Sequence, residues 1–520
     1  MILKFVFLYK NSNKDYFLKI MQNLANEFDL KHSNMTLDSE FLFFVNGNDD
    51  NLGLFADSIS NRIPLSLYFI FKSVDVVKEI PKESLSILDK SSSSFDFDLI
   101  ELNNIKDIDG EYFCDIFSYP KHKISFDITF NQKNIKSKQD LLDSMQNIVL
   151  NLKSRQNIEI QTTKGKISLC IDNKNFDLIL ANDISTISLY TRANKDELDA
   201  LATFEKPIVK LKIKDVFINE LGFKSAKFIL PYDPILSILS SFLIKFDIPF
   251  LYLKYTKDSS DGLYYKSQYS DRFFEIVLGD NGYFIEKNFL DSKISLDSFI
   301  ESSFIHNNPM LIFYISTNNP SIFRIQNISN LIKIDFDINP KNLLKQLSQR
   351  NNGTKLIQNY KNIYKDRIDY IDSFGDDIIF SQNILDILRP ISVILGYTKE
   401  LKQDEVFRYA DRSLRDIGPR IDFKTINVEG NVCYDPLSTI SSTMSFTLAG
   451  VENEVICYGI FDSLADFFIN IIRDVNINYN IKDIGIIGNL FINKIFFNKI
   501  TKKFPQNFTL HYPKYVDLKQ

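Results

Sequence analysis

A strand, a short turn and a helix follow one another between Ile484 and Ile500, and this turn is the sharpest local motif of the sequence. It reads Ile484-Gly485-Ile486-Ile487-Gly488-Asn489-Leu490-Phe491-Ile492-Asn493-Lys494. Such a turn places backbone N–H groups at a helix N-terminus, where the phosphate or ribose of a nucleotide could bind. An ordinary strand–helix turn has the same pattern, so the motif alone leaves both interpretations open.

Two residue types on which phosphate and metal sites depend are scarce. The chain has 17 glycines in 520 residues, against a usual share of about 7%. It has four histidines, His32, His122, His306 and His511. Glycine lets backbone N–H groups approach a phosphate, and histidine is the commonest general base and metal ligand. We therefore propose no Ser/His/Asp or Cys/His arrangement.

The composition is that of a globular protein, with 44% hydrophobic and 24% charged residues. The length predicts about three or four domains. A net charge of −5 without a clustered basic surface argues against nucleic-acid binding. No run reaches about 18 uninterrupted apolar residues, so we expect no membrane span. The four cysteines are far apart, which is typical of a reduced, cytoplasmic chain.

Apolar periodicity divides the chain into parts. The first part has the order β-α-β-β-α-β, with Asn51–Ser58 as its second helix and Leu65–Val77 as a strand pair, and this order predicts a ferredoxin-like sandwich. A linker with the low-complexity run Ser91–Ser94 follows, and then strands and helices alternate, which predicts α/β and α+β domains. The predicted bounds of the four parts are 1–80, 81–135, 136–256 and 257–520.

The turn resembles the "GGVFQN" signature of the HypF family, the carbamoyltransferases of [NiFe] hydrogenase maturation. Gly488 and Asn489 fall on its two glycines, Phe491 on its phenylalanine and Asn493 on its asparagine. Asn489 therefore replaces the second glycine.

Other segments are similar to motifs of the same family, and they occur in the family's order over nearly the whole chain. These segments are Lys164-Gly165 with Ser168–Asp172 ("KGlGGfhLacDA"), Glu205–Val209 ("ARPIVLL"), Phe228–Pro234 ("vmLPyTPlh"), and Ser270–Arg272 with Gly282-Tyr283 ("DDSV…RRaRGyaP"). Each motif is weak by itself, and their collinear order carries the resemblance.

The resemblance implies a domain for each part. Residues 1–80 are similar to an acylphosphatase domain, 81–135 to a finger region without its zinc ligands, 136–256 to a YrdC-like domain, and 257–520 to a truncated Kae-type, actin-like (ASKHA) domain. It also implies ATP as a cofactor and nucleotide-binding roles for Gly488, Asn489, Asn493 and Lys164. For Lys164, as for Arg192, a solvated surface charge is the alternative.

The sequence departs from the family at most of its reactive positions. The turn Asn11–Lys14 lacks the glycines and the arginine that an acylphosphatase-like site needs. Asn34 lies near the family's catalytic asparagine, with a local cap or turn as the alternative role. In the finger region Cys114 and His122 cannot close a tetrahedral zinc site. We therefore expect the zinc site to be lost.

The YrdC-like and last domains show similar departures. Tyr252–Tyr255 continues a strand where the family has a "TSGN" loop, and no histidine pair remains to bind iron. Asp376 and Asp377 could bind Mg²⁺ or simply be solvated. The chain ends at Gln520, where the family continues into a "DGGialGQ" segment.

Three functions follow as hypotheses. The first is a catalytically inactive HypF-like scaffold that binds protein partners, such as hydrogenase maturation factors. The second is an active carbamoyltransferase-like enzyme that uses ATP and carbamoyl phosphate. The third is a small-ligand or nucleotide sensor that uses the cleft between the YrdC-like and last domains.

Overall fold

The computed structural model divides into two compact units, Met1–Glu275 and Ile276–Gln520. Several sequence-derived candidates, namely Asn11–Asn13, Ser91–Ser94, Cys114, His122 and Ser270-Asp271, lie outside the described residues. The described residues are 1–9, 14–37, 40–63, 65–81, 128–135, 138–172, 175–232, 234–256, 262–265, 272–304, 308–325, 330–413 and 415–519.

The first unit begins with a two-layer sandwich, in which two helices cover one face of an antiparallel sheet of order β2-β3-β1-β4. This confirms the predicted ferredoxin-like sandwich. Leu65–Val77 contains one strand instead of the expected pair. The elements are β1 (Ile2–Tyr9), α1 (Lys14–Glu27), β2 (Lys31–Leu37), β3 (Glu40–Asn46), α2 (Asp49–Arg62) and β4 (Phe69–Val77).

Phenylalanine fills the core of this N-terminal sandwich. Phe5 and Phe7 alternate along β1 and lie on the helix-facing side of the sheet, because successive side chains of a strand point to opposite faces. Phe17 of α1 stacks on Phe69 of β4, with ring centroids 4.3 Å apart. This stacking joins the first turn of α1 to the start of the edge strand.

The second domain of the first unit is a mixed sheet with helices. Its strands run in the order β10-β11-β9-β12-β8-β7-β13-β5-β6. The sheet thus includes strands outside 136–256. Its elements are β5 (Ile128–Phe130), β6 (Lys133–Ile135), α3 (Lys138–Lys153), β7 (Ile158–Thr162), β8 (Gly165–Cys170), β9 (Leu178–Ala181), α4 (Ile184–Tyr190), α5 (Lys195–Ala202), β10 (Ile208–Lys212), α6 (Asp215–Leu221), β11 (Ser225–Ile229), α7 (Pro234–Lys245), β12 (Phe250–Tyr255) and β13 (Leu263–Tyr265).

The second unit is rich in helices and contains a four-stranded sheet of order β18-β17-β23-β24. The strands of the whole unit are β14 (Glu275–Leu278), β15 (Phe284–Glu286), β16 (Phe289–Leu290), β17 (Met310–Tyr314), β18 (Ile322–Ile325), β19 (Phe336–Asp337), β20 (Phe380–Ser381), β21 (Lys424–Val428), β22 (Asn431–Asp435), β23 (Asp483–Ile487), β24 (Thr509–His511) and β25 (Asp517–Leu518). Its helices are α8 (Leu296–Ser303), α9 (Pro340–Ser348), α10 (Gly353–Ile363), α11 (Lys365–Asp372), α12 (Leu388–Ile394), α13 (Asp404–Arg412), α14 (Pro436–Leu448), α15 (Asn453–Tyr479) and α16 (Lys494–Lys503).

Helix α15 is the longest helix of the second unit and packs in its core. It extends well beyond Ser463–Arg473, the part that sequence periodicity indicates. Among the described residues, it alone is long and apolar enough to cross a membrane by length and composition. However, 83% of its most apolar window is buried inside the protein. This burial is consistent with a core helix.

An ion pair between the buried Asp435 and the partly exposed Arg350 connects the segment after α9 to the start of α14. Arg350 donates two hydrogen bonds of 2.7 Å to Asp435, whose side chain also accepts from Ser438 Oγ and the Leu437 N–H. Burial by itself would raise the pKa of Asp435, but the hydrogen bonds from Arg350 and Ser438 outweigh burial and lower this pKa. Asp435 thus caps α14 and anchors it to the segment after α9.

Replacing Asp435 tests this connection. We expect Asp435→Asn to lower the free energy of unfolding by about 2–3 kcal/mol at neutral pH, because Arg350 loses its charged partner. A carboxylate with a lowered pKa stabilises the fold above its unfolded-state pKa of about 3.9 and loses this contribution as the pH falls through the folded-state pKa. In urea unfolding, the difference from wild type should therefore be constant above about pH 5 and shrink below about pH 4.

The matched control is Asp422→Asn. Asp422 pairs with Lys424 on the surface, so the expected loss is below about 0.5 kcal/mol. Equal losses in the two variants, or a difference that does not change with pH, would contradict the assignment.

Candidate functional site

Gly488 lies where the end of β17 approaches the turn after β23. Its φ is +111°, and a Cβ at this position would lie 2.1 Å from the carbonyl oxygen of Ile315. Backbone hydrogen bonds hold this approach: the Ile315 N–H donates to Ile487 O, and the Leu490 N–H donates to Ile315 O. Glycine is therefore required here by the protein's own backbone.

The side chain of Asn489 bridges the turn to the loop after β17. Its Oδ1 accepts from the Thr317 N–H at 2.9 Å, and its Nδ2 donates to Thr317 Oγ1 at 2.8 Å. The Asn489 N–H donates to Asp517 Oδ2 at 3.3 Å. Both polar atoms of the Asn489 side-chain amide are therefore hydrogen-bonded to Thr317.

Asp517 is the centre of a buried polar cluster beside this turn. Its Oδ1 accepts from the Tyr314 hydroxyl at 2.8 Å, and Asn319 Nδ2 donates to the same hydroxyl oxygen at 2.8 Å. Burial and then the nearby charge of Asp517 raise the pKa of Tyr314, so the phenol stays protonated and keeps donating. The cluster holds β25 against the ends of β17 and β23.

Asn493 is the N-cap of α16. Its Oδ1 accepts from the Phe496 N–H at 3.0 Å, which satisfies one of the free donors at the helix start. A single turn thus contains Gly488, Asn489 and Asn493, as the sequence predicts. Each of the three has a structural partner or constraint within the second unit.

Lys164 belongs to the first unit and is 6% exposed. Its Nζ donates to the carbonyl oxygens of Glu205 at 2.7 Å and Lys206 at 3.3 Å. The same ammonium lies 5.4 Å from the ring centroid of Tyr232 and 5.3 Å from that of Phe274. The interpretation of Lys164 as a solvated surface charge is therefore wrong, because the side chain is buried among carbonyls and aromatic rings.

Asn34 also lies in a different environment from the expected one. It is in the middle of β2, opposite Phe43, and is 1% exposed. Neither Oδ1 nor Nδ2 forms a hydrogen bond. The prediction that Asn34 forms a local cap or turn is therefore wrong. Burying an unpaired amide costs about 1–3 kcal/mol of stability.

Two of the remaining charged candidates, Asp376 and Arg192, form ion pairs. Asp376 pairs with Lys341 at 2.9 Å, and this lysine lowers the pKa of Asp376. Arg192 pairs with Asp215. Within the described ranges, no group of three or more His, Cys, Asp or Glu side chains is placed to hold a metal ion.

A polar groove that sequence reasoning missed lies between the start of α10 and one face of α14. Its volume is about 350 Å³, and Arg350, Lys355, Asp422, Ser438 and Ser441 are among its lining residues. These residues come from separate segments without a shared motif. Only the Asp435-Pro436 pair, a typical helix start, gives a sequence signal nearby.

The backbone role of Gly488 can be separated from a ligand role by two glycine substitutions. We expect Gly488→Ala to lower the free energy of unfolding by about 3 kcal/mol, from the left-handed backbone and from the clash with Ile315. Gly450 has a φ of +75° with open space around it, so Gly450→Ala should cost about 1 kcal/mol. Chemical denaturation measures both, and equal losses would mean that the close approach to Ile315 is unimportant.

The chain was compared with family models, with curated proteins and with solved structures. No family model matches the chain. A curated relative, Protein HydE of Wolinella succinogenes, is 26% identical over an alignment of 540 positions, and the match covers 98% of this chain and 98% of the relative.

Two solved structures share the fold over almost the entire chain. One is full-length HypF in a phosphate- and nucleotide-bound form, with a TM-score of 0.55. The other is HypF of T. kodakarensis, with a TM-score of 0.60. Each is 11% identical in sequence, and the match covers 99% of this chain and 96% of the other. The chain therefore has the fold of these HypF structures over almost its entire length.

Proposed function

We propose that this chain is a catalytically inactive HypF-like protein of the cytoplasm, which acts as a scaffold or accessory partner in [NiFe] hydrogenase maturation. The HypF fold over the whole chain supports this role. The relative's hydrogenase-related name, HydE, also supports it. The partners are other maturation proteins, bound through surfaces of a fold that no longer needs its reactive groups.

The internal use of the motif residues is the observation that carries this proposal. A nucleotide-binding turn offers its N–H groups and side-chain amides to the ligand. Here Asn489 is bonded to Thr317 and Asn493 caps α16. The ammonium of Lys164 is bonded to backbone carbonyls. A nucleotide would have to replace these bonds, so they oppose binding.

The active-enzyme hypothesis makes the opposite prediction about ATP, which a thermal-shift measurement can test. For the inactive protein we expect no rise in melting temperature with Mg-ATP or carbamoyl phosphate, since a bound ligand would stabilise the native state. Asn493→Ala should cost about 1 kcal/mol through the lost cap, equally with and without ATP. A clear stabilisation of wild type by Mg-ATP that Asn493→Ala abolishes would support the enzyme instead.

A pull-down of the tagged full-length chain from its native host tests the partner role. We expect maturation proteins of [NiFe] hydrogenase to be enriched over a tagged, unrelated protein of similar charge. Enrichment should persist in Asn493→Ala, because the scaffold does not depend on nucleotide binding. Failure to enrich any hydrogenase-related protein would contradict the proposed pathway.

The groove beside α14 favours a second candidate, a small-ligand sensor. Its volume of about 350 Å³ lies in the range of ligand pockets. Lys355 could bind an anionic group there, while the serines of α14 supply hydroxyls. Calorimetric titration with inorganic phosphate and ATP tests this, and binding that Lys355→Ala removes would favour the sensor.

A further inference from the structure

A short segment of the second domain inserts into the N-terminal sandwich. Phe204 follows α5 and is 2% exposed, and its ring lies within the sandwich core. It meets the ring of Phe17 edge-on, with centroids 5.6 Å apart. The Phe204 N–H donates to Leu65 O at 2.6 Å. This residue therefore packs against the first turn of α1, although it belongs to the other domain.

The next residue, Glu205, is a polar anchor at the same place. One carboxylate oxygen accepts from Ser66 Oγ at 2.5 Å, and the other accepts from the Leu67 N–H at 2.9 Å. Ser66 Oγ in turn accepts from the Phe69 N–H at 2.9 Å, at the start of β4. Both carboxylate oxygens of a 6% exposed side chain are thus held by donors of the N-terminal sandwich.

Two buried lysines hold this segment from the side of the second domain. Lys164 donates to the carbonyl oxygens of Glu205 and Lys206. Lys206 is fully buried, and its Nζ donates to Ala202 O at 2.9 Å and Thr203 O at 3.0 Å. Its φ of +44° is a left-handed backbone that is unfavourable for a residue with a side chain. The segment is therefore fixed in one uncommon conformation.

We propose that residues 203–206 form a latch by which the second domain holds the N-terminal sandwich as an internal binding partner. Phe204 is the apolar anchor and Glu205 is the polar anchor. Lys164 and Lys206 are positioning residues that preorganise the latch, since binding is tighter when the bound conformation is already formed. The interface is specific because the buried carboxylate requires the donors of Ser66 and Leu67. The latch is independent of the scaffold function proposed above.

Hydrogen exchange of the full-length protein, followed by mass spectrometry, tests the latch. We expect Glu205→Gln and the milder Ser66→Ala to raise exchange of the amides of residues 67–71 and of α1 at least threefold. Exchange in β8 and β12 of the second domain should stay unchanged. Lys164→Met should raise exchange at the latch and in the same part of the sandwich, without any nucleotide present.

The matched control is Glu197→Gln. Glu197 is also buried, at 3% exposure, but its carboxylate closes the capping box of α5 within its own domain. Because glutamine also closes a capping box, this variant should change exchange in α5 little and leave residues 67–71 unchanged. The latch would be overturned if Glu205→Gln and Ser66→Ala left the sandwich amides unchanged. It would equally be overturned if exchange rose uniformly across the first unit in these variants and in Glu197→Gln alike.

Discussion

A polar group that is buried must find a hydrogen-bond partner inside the protein, and the ends of the strands in this chain depend on that constraint. Asp517 receives the hydroxyl of Tyr314 and the N–H of Asn489, and so joins three chain segments beside the Gly488 turn. In the first unit, the carboxylate of Glu205 accepts hydrogen bonds from the Ser66 hydroxyl and the Leu67 N–H in the same way. The polar residues at these positions therefore already have hydrogen-bond partners within the protein.

The same constraint separates what the fold requires from what a reaction would require. The sheets and helices need apolar residues of suitable volume, such as the phenylalanines of the N-terminal sandwich and the apolar faces of α15. A reactive side chain is required only by the reaction. Lys164 contributes to stability through its bonds to backbone carbonyls, because its removal would leave those carbonyls without this donor.

Asn34 shows the limit of this reasoning. Its amide is buried without a partner in the middle of β2, next to a core of aromatic rings. Its cost of about 1–3 kcal/mol has to be offset by the packing of the phenylalanines around it. Stacked and edge-on pairs such as Phe17 with Phe69 supply favourable contacts of the required size.

The sequence by itself determined the order of the elements in the N-terminal sandwich and the position of the strand–turn–helix near residue 490. Apolar periodicity predicted the β-α-β-β-α-β sandwich, and the strand–turn–helix at Ile484–Ile500 was predicted in place, because both signals are local and repeat along the chain. The sequence could not decide what the polar residues contact. Lys164 and Glu205 are 41 positions apart, and Asn489 and Thr317 are 172 apart, so only the tertiary structure brings them together. The contacts of Gly488, Asn489 and Lys164 involve residues that are distant in sequence. Only the tertiary structure therefore shows what these three residues do, because the effect of a buried group depends on its neighbours in space.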